Sequence, residues 1–350
     1  MPLYKGTTEI ASGKLYKGTT EIENVYKGTS MIYQNSISFN SNFLIAGGGA
    51  AGGRSTYNYY SNTSENYDEY FYYAGGGSGG VRTSFSGATP VVNGGGQALD
   101  SQLSLETNTA YSIVVGAKGT GTSSGGETSI ASLIAVGGGS TSASSYTSHG
   151  IITTPTNGGG GGGATVGYTG SGGHTYPTII GGSGYVNPVY SSGTYGFNGG
   201  APATGSSKRS GGGGGAGSVA SNSVVQISSY SAMTAGGSGI TSSITGSSAT
   251  YGKGGNGVYL YANLFAGSGR PAVTDPGSGG HAGGTENYNK WYSGGVGSYL
   301  APTNGADGCV ILRFPNTRNY TASGSPTLTT DGSDKILQWT TAGTYTITFT

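Results

Sequence analysis

Apolar and polar residues alternate in only a few stretches of this chain, and each of those stretches predicts a β-strand. Leu103, Leu105, Tyr111, Ile113 and Val115 fall on odd positions with polar residues mostly between them, the two-residue period of a half-buried strand. Ile130, Ser132, Ile134 and Val136 repeat the alternation after a turn at Gly125-Gly126. Towards the end of the chain Val310, Leu312 and Phe314 alternate with Ile311 and Arg313, and Pro315 ends the strand. Leu337-Gln338-Trp339, a turn at Ala342-Gly343 and the series Tyr345, Ile347, Phe349 predict a hairpin. Phe43-Leu44-Ile45-Ala46 is a short apolar run of the same kind. Essentially no α-helix is expected.

Between these strands the pattern is glycine. There are 74 Gly in 350 residues, roughly three times the ordinary usage of ~7%. The runs fall at 47–53, 75–80, 94–96, 137–139, 158–163, 211–217, 236–239, 252–257, 277–284 and 294–297. The unbroken row at 158–163 is expected to be the stretch around which the chain is organised. Ordering a residue costs ~1–2 kcal/mol, and glycine loses more freedom than any other. Glycine has no side chain to bury in return, but its backbone can pack closely. A polyproline-II-type helix has three residues per turn and rises ~3.1 Å per residue without internal hydrogen bonds, so a six-residue run spans ~19 Å. Several such helices, lacking Cβ atoms, can lie side by side and satisfy each other's N–H and C=O groups. The alternative is a set of disordered spacers. Against it stand 27 Tyr, 8 Phe, 2 Trp and only 8% charged residues, the reverse of a disordered composition. The expected fold is mainly β with packed polyglycine-II helices and little or no α-helix.

The first forty residues hold a repeat. Leu3-Tyr4-Lys5-Gly6-Thr7-Thr8-Glu9-Ile10 returns as Leu15-Tyr16-Lys17-Gly18-Thr19-Thr20-Glu21-Ile22, and a third time, degraded, as Val25-Tyr26-Lys27-Gly28-Thr29-Ser30-Met31-Ile32. β-Branched and aromatic residues around a Lys-Gly step predict short strands with tight turns. A unit this small cannot bury its own face, so it is expected to stack on itself or on a partner. It is either a small β cap or an attachment module. Three regions follow: an N-terminal β repeat (1–40), a glycine-rich domain with aromatic excursions (41–308) and a C-terminal β region (309–350).

Charge and chemistry exclude more than they suggest. Fifteen Lys and Arg against 14 Asp and Glu give a net charge of +1, with no footprint for nucleic acid or an anionic membrane. The single Cys309 excludes an intramolecular disulfide framework and a multi-cysteine zinc site. The opening MPLYKGTTEI shows no secretory signal, and no apolar run approaches the ~18 residues of a membrane span. Residues 43–52 mimic a dinucleotide fingerprint, with Gly47, Gly49 and Gly52 after an apolar run and Asp68 and Glu69 downstream. The motif needs a helix next, and Arg54-Ser55-Thr56-Tyr57-Asn58-Tyr59-Tyr60 is not one. His149, His174 and His281 are scattered without ligand spacing, and Cys309 sits in a predicted strand as a small core residue. The acids Glu65, Asp68 and Glu69 are better explained as solvated loop residues than as a glycosidase pair. No enzyme, metal or cofactor is expected.

What remains distinctive is the aromatic content of the excursions between glycine runs. Tyr57, Tyr59, Tyr60, Tyr67 and Tyr70 crowd residues 54–73 among Asn and Ser, the alphabet of adaptable binding surfaces. Tyr185, Tyr190 and Tyr195, then Tyr259 and Tyr261, then Tyr288, Trp291 and Tyr292 mark later excursions. Such rings stack on sugar faces or anchor in protein pockets; alternatively a good part of them covers the scaffold's own edges.

The alternation of glycine runs and aromatic excursions resembles the glycine-rich tip adhesins of phage tail fibres, including those capping the long tail fibres of T-even-type phages. Residues 109–139, with Tyr111-Ser112-Ile113-Val114-Val115-Gly116 and Leu133-Ile134-Ala135-Val136-Gly137-Gly138-Gly139, are similar to glycine-rich domains of phage tail proteins. So are Gly308-Cys309-Val310-Ile311-Leu312-Arg313-Phe314-Pro315 and Gly343-Thr344-Tyr345-Thr346-Ile347-Thr348-Phe349. The resemblance implies a virion tail protein made in the host cytoplasm, whose thirteen aromatic residues named above contact a host outer-membrane protein or surface glycan. It implies attachment to other tail proteins through residues 1–40, as a homotrimer or as a monomer capping a fibre. The alternatives are a purely structural tail or capsid component and a surface polysaccharide depolymerase.

Overall fold

The computed structural model describes residues 36–53, 74–121, 123–140, 159–161, 195–197, 199, 211–220, 234–257, 273–282 and 301–350 in full. It also describes the backbone of strands at 3–5, 8–10, 16–17, 20–21, 24–27, 30–34, 57–62, 65–70, 141–147, 150–155, 224–228, 231–233, 258, 284–285 and 299–300. The protein is mainly β, and its one described helix is a three-residue 3-10 turn at Gly94–Gly96.

Two antiparallel sheets enclose the main core. One runs in the order Val81–Thr83, Ser38–Ala46, Cys309–Pro315, Asp334–Trp339, Thr327–Asp331, with Leu103–Glu106 paired to the first half of Ser38–Ala46. The other runs Leu133–Ala135, Thr128–Ile130, Ala110–Val115, Gly343–Phe349, Tyr320–Ala322. Between them lie Phe39, Phe43, Ile45, Ile113, Ile130, Leu312, Phe314, Trp339 and Phe349. Phe349 meets Phe39 and Phe314 edge-on at 4.9 and 5.0 Å, the arrangement ring quadrupoles prefer. A three-stranded sheet (Ala88–Thr89, Ile240–Ser242, Ala249–Tyr251) covers the opposite face of the first. Leu44, Ala46, Cys309 and Ile311 pack there against Ile240, Ile244 and Tyr251. Residues 43–46 and 309–312 of these two strands are thus buried on both faces, which is why their apolar residues run on without alternation.

Three expectations need correction. The terminal strands are not a hairpin: Asp334–Trp339 pairs with Cys309–Pro315 in one sheet, and Gly343–Phe349 pairs with Ala110–Val115 in the other. Each strand buries its apolar side in the shared core, Leu337 and Trp339 from one sheet and Ile347 and Phe349 from the other, where burial is favourable. The series from Leu103 to Val115 likewise splits between sheets at Asn108, whose φ of 61° makes the turn. The series from Ile130 to Val136 breaks at Ala131, φ 50°, into a tight hairpin that buries Ile130 and Ala135 and leaves Ile134 exposed.

Each copy of the N-terminal repeat is a separate hairpin about its Lys-Gly step: Lys5 opposite Thr8, Lys17 opposite Thr20, Lys27 opposite Ser30. Among the described ladders each copy pairs only within itself. The strand entering the core begins at Ser38, just before the expected boundary at residue 40, and the strands of 309–350 are woven into the same sheets as those of 38–115.

Where the sheets end, the glycine runs begin, and their backbone amides follow a three-residue period. Gly47, Ala50 and Gly53 donate to Gly80, Gly77 and Ala74; Gly48 and Ala51 donate to Gly126 and Ser123; Gly49 and Gly52 donate to Ala306 and Thr303. In return the carbonyls of Gly48, Gly49 and Ala50 accept from Gly138, Gly119 and Gly280. Segment 47–53 therefore has six hydrogen-bonded neighbours: 74–80, 123–126, 136–140, 116–119, 303–308 and 277–282. Segment 74–80 has six of its own, adding 159–161, 211–217 and 252–256 to the three that it shares or supplies. The neighbours are also bonded to one another in sequence around each ring, for example Gly125 to Gly138, Gly126 to Ala117, Gly305 to Gly119 and Ala306 to Ser278. Backbones meet here without room for side chains. A Cβ on Gly49 would overlap the Ser278 carbonyl, and one on Gly47 the Val136 carbonyl.

The chain lays down this array from the inside out. The central pair comes first, and the later segments then encircle it in chain order from 116–119 to 303–308, where Gly308 returns its amide to Gly116. The longest row, expected as the organising stretch, contributes its described residues Gly159–Gly161 to this outer ring instead, and the centre is held by 47–53 and 74–80.

Candidate functional site

The array has two ends. At one, Gly47, Gly80, Gly116 and Gly308 continue strands of the sandwich. At the other, Gly53 donates to Ala74 at 3.0 Å and closes the base of residues 54–73. That segment carries a hairpin, Tyr57–Asn62 with Glu65–Tyr70. Its ladder sets Tyr57 opposite Tyr70, Tyr60 opposite Tyr67 and Tyr59 opposite Asp68. Five of the aromatic residues singled out in the sequence are thereby brought onto one ribbon, along with Glu65, Asp68 and Glu69.

The same end launches other excursions. Ser140 leads directly into the hairpin Thr141–Thr147 with Gly150–Pro155. Val224–Ser228 and Ser231–Thr234 form a third ribbon, edged by Gly257–Val258. Gly284–Thr285 pairs with Tyr299–Leu300 at the base of the segment holding Tyr288, Trp291 and Tyr292. Those three residues, with Tyr185, Tyr190, Tyr259 and Tyr261, lie outside the described residues, as do His149 and His174.

Tyr195 sits at the sandwich end. Its carbonyl accepts from the amide of Val81 at 3.0 Å, and the Arg82 guanidinium lies 4.5 Å from its ring centre. Arg82 is fixed in turn by a two-pronged bond to Asp100, Nε at 3.0 Å and Nη2 at 2.8 Å. Burial raises the Tyr195 pKa; Arg82 pulls it down and Asp100 pushes it up. The ring is spent on an internal stack rather than on the far end.

Cys309 behaves as the sequence suggested for a core residue: it is fully buried, and burial pushes its thiol up to about 12. Among the described residues no three His, Cys, Asp or Glu are grouped to hold a metal, and no helix is long and apolar enough to cross a membrane.

A cleft that sequence reasoning missed opens on the flank of the array, beside segments 236–239, 252–256 and 277–282. It encloses about 250 Å3 and is lined by Lys253, Asn256, Thr274, Asp275, Ser278 and His281 together with glycine backbone. Lys253 Nζ meets Asp275 Oδ2 at 2.6 Å. Two lining side chains replace lattice neighbours that the outer ring lacks: Ser278 Oγ accepts from the Lys253 amide at 3.1 Å, and His281 Nδ1 from the Asn256 amide at 2.9 Å. The signal was present in Gly252-Lys253-Gly254-Gly255-Asn256 and Gly277-Ser278-Gly279-Gly280-His281. The non-glycine positions of each stand three residues apart, the period of the amide bonds, and all four line the cleft.

No protein-family model, curated protein or solved structure matches this chain.

Proposed function

We propose that this chain is a tail-fibre or tail-tip adhesin of a phage, in which the glycine segments are polyglycine-II helices and the aromatic excursions bind a bacterial surface receptor. The observation that carries the proposal is the closure of the Tyr57–Tyr70 ribbon by the Gly53–Ala74 bond. The base of that ribbon is held by the two segments with six neighbours each, the most constrained backbone in the described array. A binding ribbon on such a base loses little further freedom on contact, which favours affinity. The three-residue hydrogen-bond period supports the polyglycine-II assignment. The Tyr, Ser and Asn content of 54–73 supports recognition of a protein or glycan surface. Residues 1–40 would join the chain to other tail proteins, and a trimer, or a monomer capping a trimeric fibre, would suit a fibre axis.

The test is host adsorption. Alanine at Tyr57, Tyr59 and Tyr60 together with Trp291 is expected to abolish adsorption while the altered protein still assembles into particles. Undiminished adsorption by assembled particles would overturn the proposal, and purified protein that fails to compete with intact phage would point to a purely structural component.

A further inference from the structure

We propose that the flank cleft between residues 252–256, 273–275 and 277–281 binds a neutral, hydroxyl-rich ligand the size of one sugar residue. Four polar side chains of the cleft have hydrogen-bonding capacity left over among the described residues. Asp275 uses Oδ2 on Lys253 and keeps Oδ1, and Lys253 uses one ammonium proton of three. Ser278 Oγ accepts from the Lys253 amide and keeps its own proton to donate. Thr274 makes no hydrogen bond among the described residues. Adjacent donors and acceptors of this kind match the vicinal hydroxyls of a pyranose, each of which both donates and accepts.

Charge narrows the ligand further. Lys253 and Asp275 neutralise each other at 2.6 Å, so an anion arriving at Lys253 meets the carboxylate and a cation arriving at Asp275 meets the ammonium. A neutral ligand bonds to both without separating them. Val273 is the only aliphatic side chain of the lining, too little to hold an apolar ligand. The walls are pre-formed: the amides of Gly254, Gly255 and Gly279 are bonded to Gly237, Gly76 and Lys253 at 2.8 Å each, so little order has to be created on binding. The cleft lies on the side of the array and contains none of the aromatic residues assigned to receptor contact.

Saturation-transfer NMR on the full chain with methyl glucopyranoside, methyl galactopyranoside and N-acetylglucosamine tests this, with glucuronate and glucosamine as charged comparisons. Saturable binding of at least one neutral sugar is expected, with weaker binding of its charged relatives. Asp275→Asn and Thr274→Val should each weaken it about tenfold, the effect of losing one charged or well-placed hydrogen bond, with the melting temperature as a check that the fold is intact. Both positions are at the surface, and if either variant unfolds, Lys253→Met serves in its place. No saturable binding by any of the three neutral sugars would overturn the proposal, as would binding that survives the substitutions in folded protein. Because adsorption is read from the Tyr57–Tyr60 variants, either proposal can fail while the other stands.

Discussion

The amide of Gly47 donates to the carbonyl of Gly80 at 3.0 Å, one residue beyond the point where Ala46 and Val81 pair as neighbours in a β ladder. At this junction the two strands stop being a sheet. In a ladder the amides of one strand face partners in one plane, whereas Gly47, Gly48 and Gly49 turn successively to Gly80, Gly126 and Ala306. The absence of side chains permits the change, since backbones can then approach from every side.

A methyl group at this junction should therefore be costly. Gly47→Ala would drive a Cβ into the Val136 carbonyl, and Gly49→Ala into that of Ser278, both backbone atoms held by further hydrogen bonds. Each is expected to cost about 1–3 kcal/mol or more, as overpacking does. Denaturant unfolding of the two variants checks this.

Ser78 should behave in the opposite way. Its hydroxyl is buried in the central segment and has no hydrogen-bond partner among the described residues. Ser78→Ala removes a desolvated polar group and is expected to leave stability unchanged or to raise it by about 1 kcal/mol. A clear loss of stability in the same assay would contradict it.

Arg82 and Asp100 form a well-shielded pair, 12% and 20% exposed, and Asn93 Nδ2 also donates to Asp100 at 3.1 Å. Arg82→Ala leaves that carboxylate without its cation and removes the stack on Tyr195, a loss expected at about 2 kcal/mol after allowance for partial solvation. A double-mutant cycle with Asp100→Asn should show positive coupling between the two positions.

Alkaline pH should loosen the core. Burial raises the pKa of Cys309 to about 12 from a usual 9.0 and raises that of Tyr251 above its usual 10.0. Both groups are neutral in the folded state, so their contribution is complete below pH 9 and is lost as pH climbs beyond it, where the unfolded thiol ionises first. The melting temperature is expected to fall steadily above that point. Iodoacetamide at pH 8 should label Cys309 only when denaturant is present.

Much of the sandwich was legible in the chain. The two-residue alternation at Tyr111, Ile113 and Val115, and the apolar Val310 to Phe314, marked real strands because burial follows from pattern alone. Pairing was not legible. Nothing local in Leu337 or Tyr345 states that one faces Cys309–Pro315 and the other Ala110–Val115, since partners far apart in sequence are selected by the core as a whole. The ribbon at residues 57–70 was foreseen as a cluster of rings but not as paired strands. The flank cleft was missed because its residues are ordinary polar ones.

Glycine runs in a chain this rich in aromatic and poor in charged residues pointed to backbone packing, for an ordered residue without a side chain has no other way to offset its ordering cost. Which run lies in the middle came from connectivity in three dimensions. Segments 47–53 and 74–80 are central, each bonded to six neighbours, and the later segments ring them. A glycine run is locally the same wherever it stands, so its place is fixed by the neighbours that reach its amides and carbonyls.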